Sequence, residues 1–260
     1  MIRAARRTWA RIMRERFGAK AERSMACRFH VQTAGSTLTA QSIDNNVVRA
    51  AYQALAAVLG GAQSLHVNGR DEALALPTEE SARLALRTQQ ILAHEAGVAG
   101  TADPLGGSYA VEALTDRLEA EAMALIAETD RLGGMVAAVA AGFPQRAIQD
   151  SAFAYQREIE RGERVIVGVN RYVDEAVATP PIARIDPARE AEQVTAVRAH
   201  REARDAAAAA AALVAVRDAA AGTANLMPPI LGAVRAGATV GEISGALRAV
   251  WGEHREALVL

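Results

Sequence analysis

Cysteine is nearly missing from this chain: Cys27 is the only one in 260 residues, so no intrachain disulfide can form. A fold stapled by bridges is excluded, and a reducing, cytoplasmic setting is the expectation. Aromatic residues make up 4% against 51% hydrophobic residues in all, with alanine dominating the apolar set. Such a core is built by helices in close backbone contact rather than by aromatic clusters. Lysine occurs once, at Lys20, and the remaining basic residues are arginine. The formal net charge of −1 gives no general attraction to nucleic acid or an anionic membrane. No apolar run reaches the roughly 18 residues of a membrane span. The segment MIRAARRTWARIMRERFG is basic and amphipathic like a transit peptide, but nearby glutamates and the lack of serine before Ser24 argue against one. No His/Cys cluster has metal-ligand spacing. No phosphate loop, G-x-G-x-x-G or G-x-S-x-G is present.

What is present is a pair of strands with polar alternate positions, within Arg28 to Asp71. Arg28, His30 and Gln32 share one face of the first strand, and Phe29 and Val31 the other. Ser64, His66 and Asn68 repeat the pattern on the second. A helical segment links the two, as a parallel β-α-β unit requires. Polar inner faces on adjacent strands predict a barrel that holds something polar.

In chain order the spacing predicts an amphipathic helix over 3–17, a strand over 26–31 and a helix capped by Asp44 or Asn45. Gly60-Gly61 ends that helix, and a strand over 63–67 follows. Thr78 caps the next helix, which stops near Gly97, and a third short strand is expected near 98–102. These strand starts recur about every 35 residues, the size of a β-α unit. The expected class is therefore α/β: a partial (β/α) barrel of about three units, or an open parallel sheet, followed by a helical region. A complete barrel needs about 250 residues for itself. Helices are predicted over 109–131, 134–141 and 144–161, then a lone strand-like run at 165–169. A Pro-rich linker spans Thr179 to Pro187, with Pro180-Pro181 the expected boundary. One long helix over 188–221 is expected next. Thr239 and Glu242 form a capping box that opens a last helix through Trp251. The expected division is 1–108, 109–178 and 179–260.

Six polar residues on two adjacent strands favour a ligand-facing surface, since each buried unsatisfied group costs about 1–3 kcal/mol. Sites on parallel sheets lie at the C-terminal ends of the strands. Gly35 there would let a backbone approach a flat ligand, and Glu72 can accept from a sugar diol, although a solvated loop charge explains Glu72 equally well. Asp103 before Pro104 reads as a turn initiator. His94, His200 and His254 fall in helical stretches and read as surface or packing residues.

The segments RFHVQTAGSTLTAQ, NNVVRAAYQALAAVLGGAQSLHVNGRDEALALPTEESARLALRTQ and ADPLGGSY resemble the adenosylcobalamin-dependent acyl-CoA mutases, the methylmalonyl-CoA mutase family. GGMVAAVAAGFPQRAIQDSA, VIVGVNRY and ATVGEISGALRAVWGEH extend the resemblance, in order, over almost the whole chain. It implies a (β/α)8 barrel through which an acyl-CoA threads, and a corrin over the C-terminal mouth. A 5′-deoxyadenosyl radical would start a 1,2-rearrangement of the carbon skeleton. By resemblance, His30, Gln32, Gln63 and Ser64 bind substrate, and Gly35, Asn68, Glu72 and Ala75 contact the coenzyme.

The resemblance also implies departures. It begins at the helix before the family's sixth barrel strand, so the residues that select the acyl group have no counterpart here, and no catalytic residue is assigned. The D-x-H-x-x-G motif that supplies the cobalt ligand is not found in the sequence. Ser36 stands where the family usually has tryptophan or an aliphatic residue. Expected partners are an acyl-CoA, a cobalamin-binding domain or small subunit, the N-terminal barrel half, and further copies in an oligomer. The alternative expectation is a non-catalytic remnant or a module that pairs with a mutase subunit.

Overall fold

A computed structural model describes residues 1–174 and 181–254. The chain divides into two compact units, one over Met1–Arg184 and one beginning at Ile185.

The first unit opens with α1 (Ile2–Glu15), α2 (Glu22–Met25) and strand β1 (His30–Gln32). α3 (Asn45–Leu59) leads to strand β2 (Ser64–His66), then α4 (Glu79–His94), α5 (Tyr109–Arg131), α6 (Met135–Ala140) and α7 (Phe143–Glu160). β1 and β2 pair in parallel, with His30 opposite Ser64, Val31 opposite Leu65 and Gln32 opposite His66. Their apolar side is closed by α3, which buries Ala50 and Ala54 against Val67, with Leu65, Ala85 and Leu92 around them. Alanine at these positions is what lets the helix axis come close to the strand, and it explains how a core forms with so few aromatics. Asn46 shares that buried stripe with Ala50, Ala54 and Ala57. α1 packs on α5.

The second unit holds α8 (Pro187–Ala203), α9 (Ala206–Ala220), α10 (Met227–Arg235) and α11 (Val240–Trp251). α9 packs on α10 and α11 around Val216, Ala233, Ala238, Ile243 and Ala246. The Thr239–Glu242 capping box forms as its spacing predicts.

The structure corrects several expectations. Residues 98–102 are not a strand: Gly97 takes φ +68° and Val98–Gly100 form one 3₁₀ turn, so the described sheet has two strands, not three. Two glycines leave too little β-branched alternation to hold a strand there. The long helix over 188–221 is two helices. Arg204 is extended (ψ 160°), and the Asp205 side chain accepts from the Ala208 N–H, so a new helix starts where helix propensity alone predicted continuity. The run at 165–169 makes one isolated bridge, Val167 with Arg171. Asp44 sits at the start of α3 but makes no cap; its carboxylate takes Arg70 instead. Thr78 does cap α4, accepting from the Ser81 N–H. His254 lies beyond the end of α11 rather than in a helix. In the linker, Thr179 and Pro180 lie outside the described residues, and Pro187 is the first residue of α8. No helix among the described residues is long and apolar enough to cross a membrane.

Candidate functional site

The polar strand face predicted from alternation is present and open to solvent: His30, Gln32, Ser64 and His66 are all exposed. His30 Nδ1 and Ser64 Oγ are 2.7 Å apart, so the register pair is also a hydrogen-bonded pair. That bond fixes the imidazole plane and leaves its other nitrogen without a partner among the described residues.

At the C-terminal end of the strands the chain builds a small cradle. Gln32 Nε2 donates to Asn68 Oδ1 at 2.9 Å, and the Asn68 N–H donates to Thr33 Oγ1 at 3.0 Å. Asn68 is thus buried at 3% exposure and held by both bonds, yet its Nδ2 has no partner among the described residues. A buried donor without a partner costs about 1–3 kcal/mol, so an acceptor placed beside this amide would be stabilising. That nitrogen lies 2.9 Å from where a side chain on Gly35 would begin, and Glu72 Oε1 lies 3.5 Å from the same point. Gly35 and the Asn68–Glu72 loop, far apart in sequence, therefore surround one space that exists because residue 35 has no Cβ.

The loop carrying Glu72 is held by Asp71. Its Oδ2 accepts from the Thr78 N–H at 3.0 Å, and its main-chain carbonyl accepts from Leu74 (2.8 Å) and Ala75 (3.1 Å). The Glu72 N–H donates to the Gly69 carbonyl at 3.2 Å. Ala75 sits half-buried in the same turn. Gln63, by contrast, is at the other end of the sheet. Its Oε1 accepts from the Phe29 N–H (2.8 Å) and its Nε2 donates to the Gly61 carbonyl (2.9 Å). The structure therefore separates Gln63 from the cradle while keeping it beside the entry to both strands.

Sequence reading missed three supports, Asn46, Arg49 and Asp71. Asn46, fully buried, accepts from the Thr39 N–H and donates to the carbonyls of Thr39 and Arg70, tying the loops after both strands together. Arg49 Nη1 reaches Asn46 Oδ1 at 2.7 Å, and its Nη2 donates to the Val167 carbonyl. The signal for Asn46 was available: a lone amide on the apolar stripe 46, 50, 54, 57. Asp71 carried no such mark, because its role depends on where the chain turns. Among the described residues no group of three or more His, Cys, Asp or Glu is arranged to hold a metal.

A family model described as methylmalonyl-CoA mutase matches residues 1–253. The chain belongs to the methylmalonyl-CoA mutase family. It is 46% identical over 254 residues to a probable mitochondrial methylmalonyl-CoA mutase of Caenorhabditis elegans, covering 97% of this chain and 34% of that protein. It is 45% identical over 262 residues to the 2-hydroxyisobutanoyl-CoA mutase large subunit of Aquincola tertiaricarbonis, covering 99% and 46%. Identity to the methylmalonyl-CoA mutase of Rhizobium meliloti is 47% over 255 residues, covering 97% and 36%. The chain spans between 34% and 46% of the length of these relatives, so the likeness concerns one portion of the family's architecture.

Proposed function

We propose that this chain supplies the coenzyme-facing part of the acyl-CoA barrel of an adenosylcobalamin-dependent mutase, an isomerase that rearranges the carbon skeleton of a short acyl-CoA. The observation that carries this reading is the Gly35–Asn68–Glu72 cradle at the C-terminal ends of a parallel strand pair. Its donor and acceptor are the set a ribose diol needs: the Asn68 amide can donate to one hydroxyl and the Glu72 carboxylate can accept from the other. The residues present thus fit the adenosyl group, with Gly35 and Ala75 as its backbone floor.

When bound, adenosylcobalamin supplies the homolytic chemistry that starts hydrogen abstraction from the acyl group. This chain's own residues position and orient. His30 and Ser64 present a donor and an acceptor to the thioester arm, Gln32 and Gln63 offer amides along the same strip, and Asn68 and Glu72 hold the sugar. Residues 1–108 are then the last β-α units of a (β/α)8 barrel. Residues 109–178 are a helical extension on it, and 179–260 a helical linker region. The cobalt ligand comes from a cobalamin-binding domain or small subunit, and the N-terminal barrel half closes the sheet within an oligomer. The expected location is the cytoplasm.

The test is reconstitution. The chain is combined with an N-terminal family segment, a cobalamin-binding subunit and adenosylcobalamin, and then offered methylmalonyl-CoA, isobutyryl-CoA, ethylmalonyl-CoA or 2-hydroxyisobutyryl-CoA. A rearranged acyl-CoA by mass spectrometry is the expected result, with no turnover by the isolated chain. A folded assembly that rearranges none of these would overturn the reading.

A further inference from the structure

Asn68 is followed by Gly69, in the irregular stretch between β2 and the turn at Arg70. A side-chain amide next to a glycine nitrogen puts an electrophile and a nucleophile one residue apart. Attack of such a nitrogen on the amide carbon is hindered at most positions by the following side chain and by the hydrogen bond its N–H makes. Neither hindrance exists here. Gly69 has no Cβ, and its N–H makes no hydrogen bond among the described residues. The surroundings fit the same reaction. Gln32 Nε2 donates to Asn68 Oδ1 at 2.9 Å, which polarises the amide carbonyl and faces the oxygen on which negative charge would develop. The leaving nitrogen, Nδ2, has no partner among the described residues. Asp71 is 3% exposed, and its Oδ1 has no partner there either. That oxygen lies 2.8 Å from the point where a side chain on Gly69 would begin, so an unengaged base stands against the nucleophile's own residue.

We propose that Asn68 is a self-modification site, converted to aspartate or isoaspartate by its own neighbours when the cradle holds no coenzyme. The Gly69 nitrogen bonds to Asn68 Cγ, and its proton passes to Asp71 Oδ1. The Cγ–Nδ2 bond then breaks, and Nδ2 takes that proton and leaves as ammonia. The product is a cyclic imide joining the side chain of residue 68 to the nitrogen of residue 69. Water opens it at either carbonyl, giving aspartate or, where the main chain runs on through Cγ, isoaspartate. One water is consumed and one ammonia released, with no change of oxidation state. Burial sets the pace, because water must reach a turn that the fold closes. The consequence falls on the cradle. Resting on the mutase reading, the Nδ2 donor offered to the ribose is replaced by an accepting carboxylate oxygen, beside the Glu72 carboxylate. A donor–acceptor pair becomes two like charges, which repel and leave one ribose hydroxyl without its partner. A bound adenosyl group, by engaging Nδ2 and keeping the turn closed, preserves the amide.

The experiment ages the 260-residue chain at mildly alkaline pH and follows each asparagine by peptide mass spectrometry, with isoaspartate counted by enzymatic methylation of its free carboxyl. Acid at residue 68 should appear ahead of acid at Asn45, Asn46, Asn170 and Asn225, and isoaspartate should be part of it, since direct hydrolysis of the amide gives aspartate alone. Gly69→Ala should slow the change roughly tenfold by hindering the attack. A Cβ at residue 69 also meets Asp71 Oδ1, so Asp71→Asn is the second variant: it keeps an acceptor for the Thr78 N–H and removes the base. It should slow the change by a similar factor, and circular dichroism confirms that both variants stay folded. An intact Asn68 after the other asparagines have reacted, aspartate without isoaspartate, or wild-type rates in both folded variants would overturn the self-modification. A second arm repeats the ageing in the reconstituted assembly with and without adenosylcobalamin. Slower loss of the amide with the coenzyme present ties the site to the cradle. Equal rates keep the self-modification and remove Asn68 from the coenzyme reading.

Discussion

Arg3 and Asp103 are joined by two near-parallel hydrogen bonds, Nε to Oδ1 at 2.9 Å and Nη2 to Oδ2 at 3.0 Å. The bond pair links α1 to the turn before α5, and Arg3 also reaches Glu112 and Thr115 on α5 itself. Asp103 holds a left-handed backbone (φ +45°) that aspartate tolerates better than most residues. The sequence marked Asp103 as a turn former, and the turn is there, closed by the Gly106 N–H on its carbonyl. Its side chain is a helix anchor as well. Arg3→Gln should lower unfolding free energy by about 1 kcal/mol, the upper end for a partly exposed pair. Urea denaturation is the measurement, and an unchanged midpoint would show the anchor idle.

Asn46 makes a sharper case. It is fully buried and holds three main-chain groups from the loops after both strands. Asn46→Ala leaves these groups without partners, at about 1–3 kcal/mol each where water cannot reach them. A loss of about 3 kcal/mol in total is expected. Asn46→Asp should fall between the two, since it retains the acceptor for the Thr39 N–H and loses the donor to the carbonyls. Thermal melts of the three proteins rank them.

Glu72 is exposed, so Glu72→Ala should leave the melting temperature almost unchanged. On the proposed reading, the same change in the reconstituted holoenzyme would remove charge-assisted hydrogen bonds to the ribose, about 1.5–3 kcal/mol each. Coenzyme affinity or the cobalt–carbon homolysis rate should fall roughly 10- to 100-fold. Equal values in both proteins would leave Glu72 a solvated loop charge.

Gly35→Ala tests the cradle from the other side. The new methyl group would begin 2.9 Å from Asn68 Nδ2, closer than unbonded atoms rest. Asn68 cannot swing away without giving up its bond to Gln32. Coenzyme binding should drop at least tenfold while the chain stays folded, because the space lost is the one the ligand would use. Ligand titration alongside circular dichroism separates the two effects.

The second unit should be acid-sensitive through Glu242. The Arg204 guanidinium, bonded to both carboxylate oxygens at 2.5 and 2.6 Å, holds this carboxyl well below its ordinary value near 4.5, with the Thr239 N–H adding to the effect. A depressed folded-state value means the stabilisation is complete above the unfolded-state value and is lost as pH falls through the folded one. Melting temperature should decline from pH 5 toward pH 2, and Glu242→Gln should flatten that decline. A parallel pH profile in both proteins would assign the sensitivity elsewhere.

The parts of this molecule that follow from neighbours in sequence were legible. The Thr239–Glu242 box, the Thr78 cap and the polar alternation of β1 and β2 depend on spacings of two to four residues, and each appears as read. The break at Arg204–Asp205 was hidden because the following alanines favour helix on either side of it, and one capping aspartate outweighed the average. The third strand was over-read because a β-α period sets an expected position but cannot supply a partner to pair with. At the site, alternation marked Asn68 and the strand-end loops marked Gly35 and Glu72, the resemblance added a coenzyme role, and their common space is visible only after folding. Asp71 and Arg49 act through main-chain groups brought near by the turn, which no local pattern reports.

The pairing of β1 with β2 also sets an order of events. Each strand has three residues and pairs only with the other among the described residues, across a 34-residue separation from His30 to Ser64. A two-stranded ribbon of that length does not hold by itself in water. It must wait for α3 to dock its alanine stripe on Val67, since only then is the entropy of closing the intervening loop offset. The Thr33 and Gln63 amides, bonded to the His66 and Phe29 carbonyls, should therefore exchange hydrogen with solvent at the pace at which α3 detaches. The cradle at the strand ends inherits that clock, and its lifetime is set by a helix that touches no ligand.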